Sequence, residues 1–298
     1  MTDVVLLSNL EKPGVVDALE RLRPWLADRA RVVAEDSGSG PEPIDVDHAD
    51  LVIVLGGDGT LLAQARRVVD LDAPIVGVNF GKLGFLAEFS LQQLQHQWEQ
   101  IISGDCPISR RVMLDATAYT PGNGELETVP APSFRSLAMN DCVITAGRPF
   151  RMIRLEISIN PQGQAPGGTR FAGDGVIVAS PSGSTAYNVS AGGPILAPDV
   201  DAMVITPICP QSLAFRPIVV HGDDELELTV HEANLGTTLV IDGQRSAPLD
   251  AGSRLRLVRH DRRLKLVTNP RVGYWQRLAS KMHWAAGPRH GEPTGDQA

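Results

Sequence analysis

Three glycines and one carboxylate occupy five consecutive positions, Gly56–Thr60, directly after the apolar run Leu51–Leu55. Because glycine has no Cβ, backbone N–H groups in such a turn can approach a phosphate closely. A helix that starts there also directs its positive end toward the same place. A carboxylate repels phosphate, so Asp58 suits a general base that accepts a proton from an attacking hydroxyl, or a ligand of Mg²⁺. The alternative is a structural strand–turn–helix junction in which Asp58 is a turn residue and Thr60 the helix N-cap.

A second glycine-rich segment, Gly173–Pro194, consists largely of small and hydroxylic residues. The strand predicted at Val176–Ala179 runs into hydroxyls and amides of the kind that ribose and phosphate recognition requires. Asp174 suits a bond to an amide, to a ribose hydroxyl or to a neighbouring chain, and Tyr187 either stacks on a base or packs internally. The length of the segment and its closing Gly-Gly-Pro favour a ligand-binding loop over an ordinary solvated loop.

Two polar residues, Asn140 and Asp141, interrupt an apolar pattern that otherwise predicts a strand over Leu137–Thr145. Asn and Asp are poor strand residues, so the pair indicates a bulge or an edge that faces a ligand. A carboxylate here suits the acceptance of hydrogen bonds from two ribose hydroxyls. A polar edge strand is the structural alternative.

Composition excludes several classes of function. The chain has 298 residues, 43% hydrophobic and 21% charged, with a net charge of −8. These values are typical of a globular protein of one large or two medium domains, and they argue against a nucleic-acid or anionic-membrane surface. The N-terminus lacks a basic signal-peptide start, and no apolar run approaches the ~18 residues of a membrane span. The three cysteines lack C-x-x-C spacing, so we expect reduced thiols and a cytoplasmic protein. The seven histidines lack metal-ligand spacing, so we expect no metal held by protein side chains.

The elements that must position these residues fall into two groups. Strand and helix patterns alternate over residues 1–108, which predicts an α/β domain with a parallel sheet that carries the first glycine-rich turn. Short strands about ten residues apart follow over residues 109–270 and predict an all-β, sandwich-like domain. Residues 271–287 are predicted to form a helix that returns to the body, and residues 288–298 a disordered tail.

In these motifs and in several others the sequence resembles the NAD kinase family, in the same order from about residue 50 to residue 284. The segments that bear the resemblance are Gly56–Thr60, Asn79–Leu86, Asn140-Asp141, Gly173–Pro194, Thr206–Pro210, Ser212-Leu213, Arg216–Val219, Asp242–Gln244 and Tyr274–Trp284. The first of them is shared with diacylglycerol and sphingosine kinases, whereas the long second glycine-rich segment is specific to the family.

The resemblance implies a reaction, ATP-dependent phosphorylation of the adenosine-ribose 2′-hydroxyl of NAD to give NADP, with a divalent ion, Mg²⁺, carried by ATP. It also implies a β-rich NAD-binding domain, an NAD site between the two domains, and a homodimer or homotetramer. By motif, Asp58 would be the general base for the 2′-hydroxyl. The residues that would bind the substrate are Gly59, Asn140, Asp141, Asp174, Thr185, Ala186, Tyr187, Ser190 and Gln244.

Within that implied set, Asn140 and Asp141 would hold a ribose, and Gln244 would close the site. Asp174 would contact the nicotinamide end, within one chain or across a subunit boundary. The sequence departs from the family at Asp141, where Glu is more frequent, and at Gln211, where His is frequent. The shorter Asp side chain loses roughly one C–C bond of reach, so ribose affinity is expected to differ.

Two other functions stay open from the sequence. A lipid or sugar kinase would share the first glycine-rich segment, but Gly173–Pro194 and the lack of an exposed amphipathic membrane segment count against it. A non-catalytic NAD(P) sensor would keep the dinucleotide loop without needing a base, and the intact Asp58 counts against it.

Overall fold

The computed structural model of the protein describes residues 1–38, 40–81, 84–121, 131–149, 151–161 and 168–282. The predicted tail, residues 288–298, and the end of the predicted closing helix lie outside the described residues.

The described residues form strands and helices that alternate at first and then give way to strands. The strands are β1 Thr2–Ser8, β2 Ala30–Asp36, β3 Leu51–Leu55, β4 Pro74–Val78, β5 Ile108–Arg111, β6 Leu114–Tyr119, β7 Phe134–Ala138, β8 Asp141–Thr145, β9 Ile153–Ile159, β10 Thr169–Gly173, β11 Gly175–Ala179, β12 Ala202–Ile208, β13 Ile218–His221, β14 Leu226–Glu232, β15 Thr238–Ile241, β16 Arg245–Pro248, β17 Arg254–Arg259 and β18 Leu264–Val267. The α-helices are α1 Val15–Ala27, α2 Asp58–Val68, α3 Leu91–His96, α4 Trp98–Ile102, α5 Tyr187–Ser190 and α6 Tyr274–Lys281. Short 3-10 helices lie at Val69–Leu71 and Gly183–Thr185.

The first sheet has the strand order β2-β1-β3-β4-β18-β5, and every neighbouring pair in it is parallel except β18 with β5. Strand β3 is apolar throughout because both of its faces are covered. Its residues Leu51, Ile53 and Leu55 pack with α1, α3 and α4, whereas Val52 and Val54 pack with α2 on the opposite face. This arrangement places the end of β3, and the glycines that follow it, at the carboxyl edge of the sheet, where α/β proteins bind ligands.

Two antiparallel sheets form the second part of the chain, in the orders β10-β9-β14-β17-β6-β7 and β13-β12-β11-β8-β15-β16. Their inner faces enclose one apolar core, to which β6, β9, β14 and β17 contribute from one side and β8, β11, β12 and β15 from the other. The predicted sandwich is therefore confirmed. On the outer face of the β11 sheet, Ile177 and Val204 form a smaller apolar cluster with Ala191 and Leu196 of the second glycine-rich segment and the residues just after it.

The structure differs from the sequence-based prediction at Asn140. A single strand was expected over Leu137–Thr145, but β7 ends at Ala138 in one sheet and β8 begins at Asp141 in the other. The polar pair therefore marks the point where the chain crosses from one layer of the sandwich to the next.

Chain order and sheet membership differ at the end of the second domain. Strand β18, Leu264–Val267, lies within the boundary 109–270 predicted for the β-rich domain, yet it pairs with β4 and β5 in the first sheet. Its apolar residues Leu264 and Leu266 belong to the core beneath α2. Helix α6 follows and packs back onto the body through the buried side chains of Arg277 and Leu278, which confirms the predicted return.

Among the described helices the longest, α1, has 13 residues, which is short of the ~20 that a membrane-spanning helix requires.

Candidate active site

Asp58 is the first residue of α2, and three backbone amides hold its carboxylate. The amides of Phe85, Leu86 and Ala87 donate to it at 2.7, 3.0 and 3.0 Å. A Cβ added at Gly84 would overlap the carboxylate, so the chain can approach it only with glycine at that position. A carboxylate has about four acceptor positions, so one remains for a ligand hydroxyl.

Helix α2 begins two residues earlier than Thr60, with Gly57 as its N-cap, so the interpretation of Thr60 as the cap is wrong. Thr60 is 5% exposed and packs against Gly56, where an added Cβ would overlap its side chain. Within the described part of the chain, the Thr60 hydroxyl has no hydrogen-bond partner. It is therefore an enclosed polar group at the start of α2, packed against Gly56.

The turn between β15 and β16, Asp242–Gln244, joins the two parts of the molecule. The buried Asp242 carboxylate accepts hydrogen bonds from the amides of Met139, Asn140 and Asp141 at 3.0, 2.7 and 3.1 Å. It also lies 3.5 Å from the guanidinium of Arg66 on α2. Burial raises the Asp242 pKa, while the amides and Arg66 oppose that shift.

Gln244, at the end of the same turn, links it to the first glycine-rich segment. Its Nε2 donates to the carbonyl oxygen of Gly59 at 2.7 Å, and its Oε1 accepts from Arg66. These contacts bring five of the predicted site residues to one crevice between the parallel sheet and the sandwich: Asp58, Gly59, Asn140, Asp141 and Gln244.

Asp141 is buried at the start of β8, and none of the described residues donates a hydrogen bond to its carboxylate. Desolvation, with a smaller contribution from the negative Asp242, raises the Asp141 pKa to about 7. A buried carboxylate that lacks an internal donor is suited to accept hydroxyl groups from a ligand.

The turn that follows β11 packs directly against Asn140. The amide of Ser180 donates to the carbonyl oxygen of Asn140 at 2.8 Å, and the Ser180 hydroxyl donates to that of Met139 at 2.5 Å. A Cβ at Gly183 would overlap the Asn140 backbone, so this contact requires glycine. The half-buried Thr185 and Ala186 follow Gly183 and Ser184 in the chain.

Several polar side chains of Gly173–Pro194 form hydrogen bonds within the loop itself. Fewer of them are therefore available to bind a ligand than the sequence predicted. Asn188 is fully buried, donates to the carbonyl oxygens of Ser184 and Pro194 at 3.0 and 2.9 Å, and accepts from Thr206 at 2.6 Å. The exposed side chains of Tyr187 and Ser190 on α5 remain on the surface of this loop.

Asp174 is separated along β11 from Asn140 and Asp141 of its own chain. It is exposed and precedes β11, whose far end, Ala179, pairs with Asp141. Five residues of strand correspond to about 16 Å, so Asp174 lies at the opposite end of the sheet from the crevice.

A buried ion pair fixes the loop that holds Asp58. Glu88 directly follows Ala87, is fully buried, and lies 2.5 Å from the guanidinium of Arg277 on α6. The amide of Asn269 donates to the same carboxylate at 2.9 Å. Desolvation raises the Glu88 pKa, and Arg277 opposes that shift. Neither Glu88 nor Arg277 was predicted, because nothing local in the sequence indicates that residues 189 positions apart form a pair.

A cavity of about 480 Å³ opens beside Gly59, at the carboxyl ends of β1 and β3. It is lined by Ser8, Asn9, Leu10, Glu11, Lys12, Ser37, Gly38, Gly59, Thr60, Ala63, Gln64, Arg66, Gln244 and Arg245. Apart from Gly59, Thr60 and Gln244, the residues of this wall were not singled out from the sequence. The one signal for it was the polar turn Ser8-Asn9 at the end of the first predicted strand.

Comparison with known proteins places these motifs in one family. Residues 40–106 match the family model of the ATP-NAD kinase N-terminal domain, and residues 139–269 match that of the ATP-NAD kinase C-terminal domain. A curated NAD kinase of Geotalea daltonii is 35% identical over 294 residues, 95% of this chain and 99% of the relative. The NAD kinase of Desulforamulus reducens is 36% identical over 298 residues, 96% of this chain and 99% of the relative.

Solved structures have the same fold at lower sequence identity. The yeast NADH kinase complexed with NADH superposes with a TM-score of 0.80 and 23% identity, covering 98% of this chain and 90% of that one. The NAD kinase of Archaeoglobus fulgidus in complex with ATP gives a TM-score of 0.68 and 22% identity, covering 94% and 98%.

The pKa of Asp141 predicts how stability depends on pH. Because the folded value of about 7 exceeds the ordinary value of 3.8, the folded state binds more protons between these pH values, and the protein loses stability as pH rises through that window. Asp141→Asn removes this loss. We expect the free energy of unfolding of the variant, relative to wild type, to rise by on the order of 4 kcal/mol between pH 4 and pH 8 in urea titrations.

The exposed carboxylate of Asp17 on α1 supplies the control for this experiment. Asp17→Asn makes the same chemical change at a surface position and is the variant with which the Asp141→Asn difference is compared. A pH-independent difference for Asp141→Asn would contradict the raised pKa.

Proposed function

The chain belongs to the NAD kinase family, and on that premise we propose its reaction and the roles of its residues. The reaction is the transfer of the γ-phosphate of ATP to the 2′-hydroxyl of the adenosine ribose of NAD, giving NADP. The observation on which this proposal depends most is the Asp58 carboxylate, fixed by three amides beside a glycine-rich turn.

In this proposal Asp58 is the general base. It accepts the proton of the 2′-hydroxyl as that oxygen bonds to the γ-phosphorus, and the bond from the γ-phosphorus to the oxygen that bridges it to the β-phosphate breaks as ADP leaves. The amides of Phe85, Leu86 and Ala87 prevent the carboxylate from rotating, which keeps its remaining acceptor position directed at the substrate.

The NAD site lies along the crevice in this proposal. Ribose hydroxyls donate hydrogen bonds to the carboxylate of Asp141, and the side chain of Asn140 donates to a ribose hydroxyl. The adenosine end is bordered by Gly59 and Gln244. Thr185, Ala186, Tyr187 and Ser190 line the loop side of the dinucleotide. A ribose that donates to Asp141 favours the ionised carboxylate, so binding would counteract the raised pKa of the free protein.

The cavity beside Gly59 is the proposed site for ATP. The cations Lys12 and Arg66 line it together with the first turn of α2, and both features suit a triphosphate. Mg²⁺ would arrive on the phosphates of ATP and offset their charge during transfer.

The isolated position of Asp174 supports a homo-oligomer. An exposed carboxylate about 16 Å along the sheet from its own crevice is available to the substrate of a second copy, as a dimer or tetramer would allow. We also propose a cytoplasmic protein, in keeping with three cysteines that form no disulfide, Cys106, Cys142 and Cys209.

Replacing the proposed base tests the reaction. Asp58→Asn should lower kcat for NADP formation by about 10²–10⁴-fold, because the amide cannot take the proton, while NAD binding stays close to wild type. The measurement incubates protein with NAD, ATP and Mg²⁺ and couples the NADP formed to an NADP-specific dehydrogenase.

Two results would contradict this proposal in different ways. A near wild-type kcat for Asp58→Asn, with Asp17→Asn as the matched control, would exclude Asp58 as the base. Wild-type protein that binds NAD but forms no NADP with ATP would instead favour a sensor or another phosphoryl donor.

Removing a cation from the cavity beside Gly59 tests the ATP site. Lys12 is exposed, so Lys12→Ala should leave the fold intact and raise KM for ATP about tenfold through loss of one charge-assisted contact, with KM for NAD unchanged. Steady-state kinetics with each substrate varied in turn measure both constants. An unchanged KM for ATP would place the triphosphate elsewhere.

A further inference from the structure

A second cavity, of about 500 Å³, opens on the side of the molecule where β5, β18 and α6 meet. We call it the arginine cavity; it is lined by Pro107, Ile108, Ser109, Arg110, Arg111, Pro198, Asp199, Arg263, Thr268, Val272, Tyr274 and Arg277. It shares no residue with the cavity beside Gly59. Its volume lies within the range of small-molecule sites, roughly 300–1,000 Å³.

Two of its four arginines are deeply buried. Arg111 and Arg277 are 3% and 5% exposed, and the Nε of each has no hydrogen-bond partner among the described residues. Leaving buried donors unsatisfied is costly, and native structures rarely do so without a water, an ion or a ligand at the site. Both side chains also line the cavity, so their buried positive charge lies at its wall.

The charge of the cavity wall is positive. Four arginines border it against one carboxylate, Asp199. Two of the four are paired, Arg277 with Glu88 and Arg263 with Asp201. For Arg110 and Arg111, no carboxylate of the described chain lies within salt-bridge distance. Burial lowers the Arg111 pKa, as expected of a cation whose charge is incompletely balanced.

From this wall we infer that the arginine cavity binds a small phosphate-class polyanion. Guanidinium groups present planar pairs of N–H donors that match the oxygens of phosphate, and arginine is the preferred residue where such an anion is bound with fixed geometry. Arg110 and Arg111 supply positive charge that no carboxylate of the described residues pairs within salt-bridge distance, and Arg277 and Tyr274 also line the cavity.

The position of the cavity relates it to the dinucleotide loop. Arg111 donates to the hydroxyl of Ser182 at 3.4 Å, and the Tyr274 hydroxyl donates to the carbonyl oxygen of Leu196 at 3.4 Å. The bound anion would therefore lie beside the segment Gly173–Pro194, in a cavity that shares no residue with the proposed ATP site.

The probe for this inference is pyrophosphate. Its binding to the full chain, without nucleotide, is measured by isothermal titration calorimetry. We expect saturable binding with a Kd below about 1 mM, which weakens as salt is added because the contacts are ionic. Arg110 is exposed and makes no ion pair among the described residues, so Arg110→Glu should fold normally and weaken the binding at least about tenfold. Arg110→Ala should weaken it less.

Two controls separate this cavity from other anion sites. Lys12→Ala alters the proposed ATP site and should leave the Arg110-sensitive binding unchanged. Arg21→Glu is the matched charge reversal, at an exposed arginine of α1 that lines neither cavity, and should bind pyrophosphate as wild type does. Binding that is lost in Lys12→Ala but kept in Arg110→Glu would place pyrophosphate in the other cavity and overturn the inference, as would no binding by wild type. None of these outcomes depends on turnover, so the inference fails or stands separately from the proposed kinase reaction.

Discussion

The three hydrogen bonds from the amides of Phe85, Leu86 and Ala87 to the Asp58 carboxylate are the contact on which the rest of the site depends. They require a helix that starts at Asp58 itself, directly after β3, and a glycine at position 84. They also require a fixed loop. Glu88 supplies this through its buried pair with Arg277, and the Lys281 ammonium lies 5.0 Å from the centre of the Phe85 ring. Helix α6, near the end of the chain, thus holds the loop that orients a carboxylate near its beginning.

A second constraint joins the α/β part to the sandwich. The Asp242 carboxylate accepts hydrogen bonds from three amides where the chain crosses between the two β layers, and it pairs with Arg66 on α2. Gln244, in the same turn, donates a hydrogen bond to the carbonyl oxygen of Gly59. Three carboxylates, those of Asp58, Asp141 and Asp242, are thereby gathered around one crevice. Hydrogen bonds from backbone amides stabilise the negative charges of Asp58 and Asp242, and Arg66 also pairs with Asp242. Asp141 has no such partner among the described residues, and burial raises its pKa to about 7. The uncompensated acceptor is the one best placed to take hydroxyls from a ligand.

Local patterns in the sequence predicted much of this architecture. The apolar run Leu51–Leu55, with glycines behind it, predicted a buried parallel strand and a turn into a helix, both present in the fold, while ligand binding at that turn stays a prediction. The family resemblance and the fold class were confirmed, while the roles of the individual site residues stay predictions.

Other features depend on contacts that no local pattern encodes. Met139-Asn140 joins two strands rather than lying in one because its amides meet Asp242, about a hundred residues away. Likewise β18 enters the first sheet because Leu266 fits the core beneath α2, although its neighbours in sequence belong to the sandwich. Arg66, Glu88 and Arg277 were missed for the same reason: each is an ordinary charged residue until a distant partner is known.

The central claim is that the position of the Asp58 carboxylate, not only its presence, sets the rate of phosphoryl transfer. Gly84→Ala tests it most directly, because the added methyl would overlap the carboxylate and displace it without changing its chemistry. The variant should bind NAD as wild type does and form NADP about 100-fold more slowly, whereas Gly81→Ala, in the same turn with open space around its Cβ, should be close to wild type. A wild-type kcat for Gly84→Ala would contradict the account.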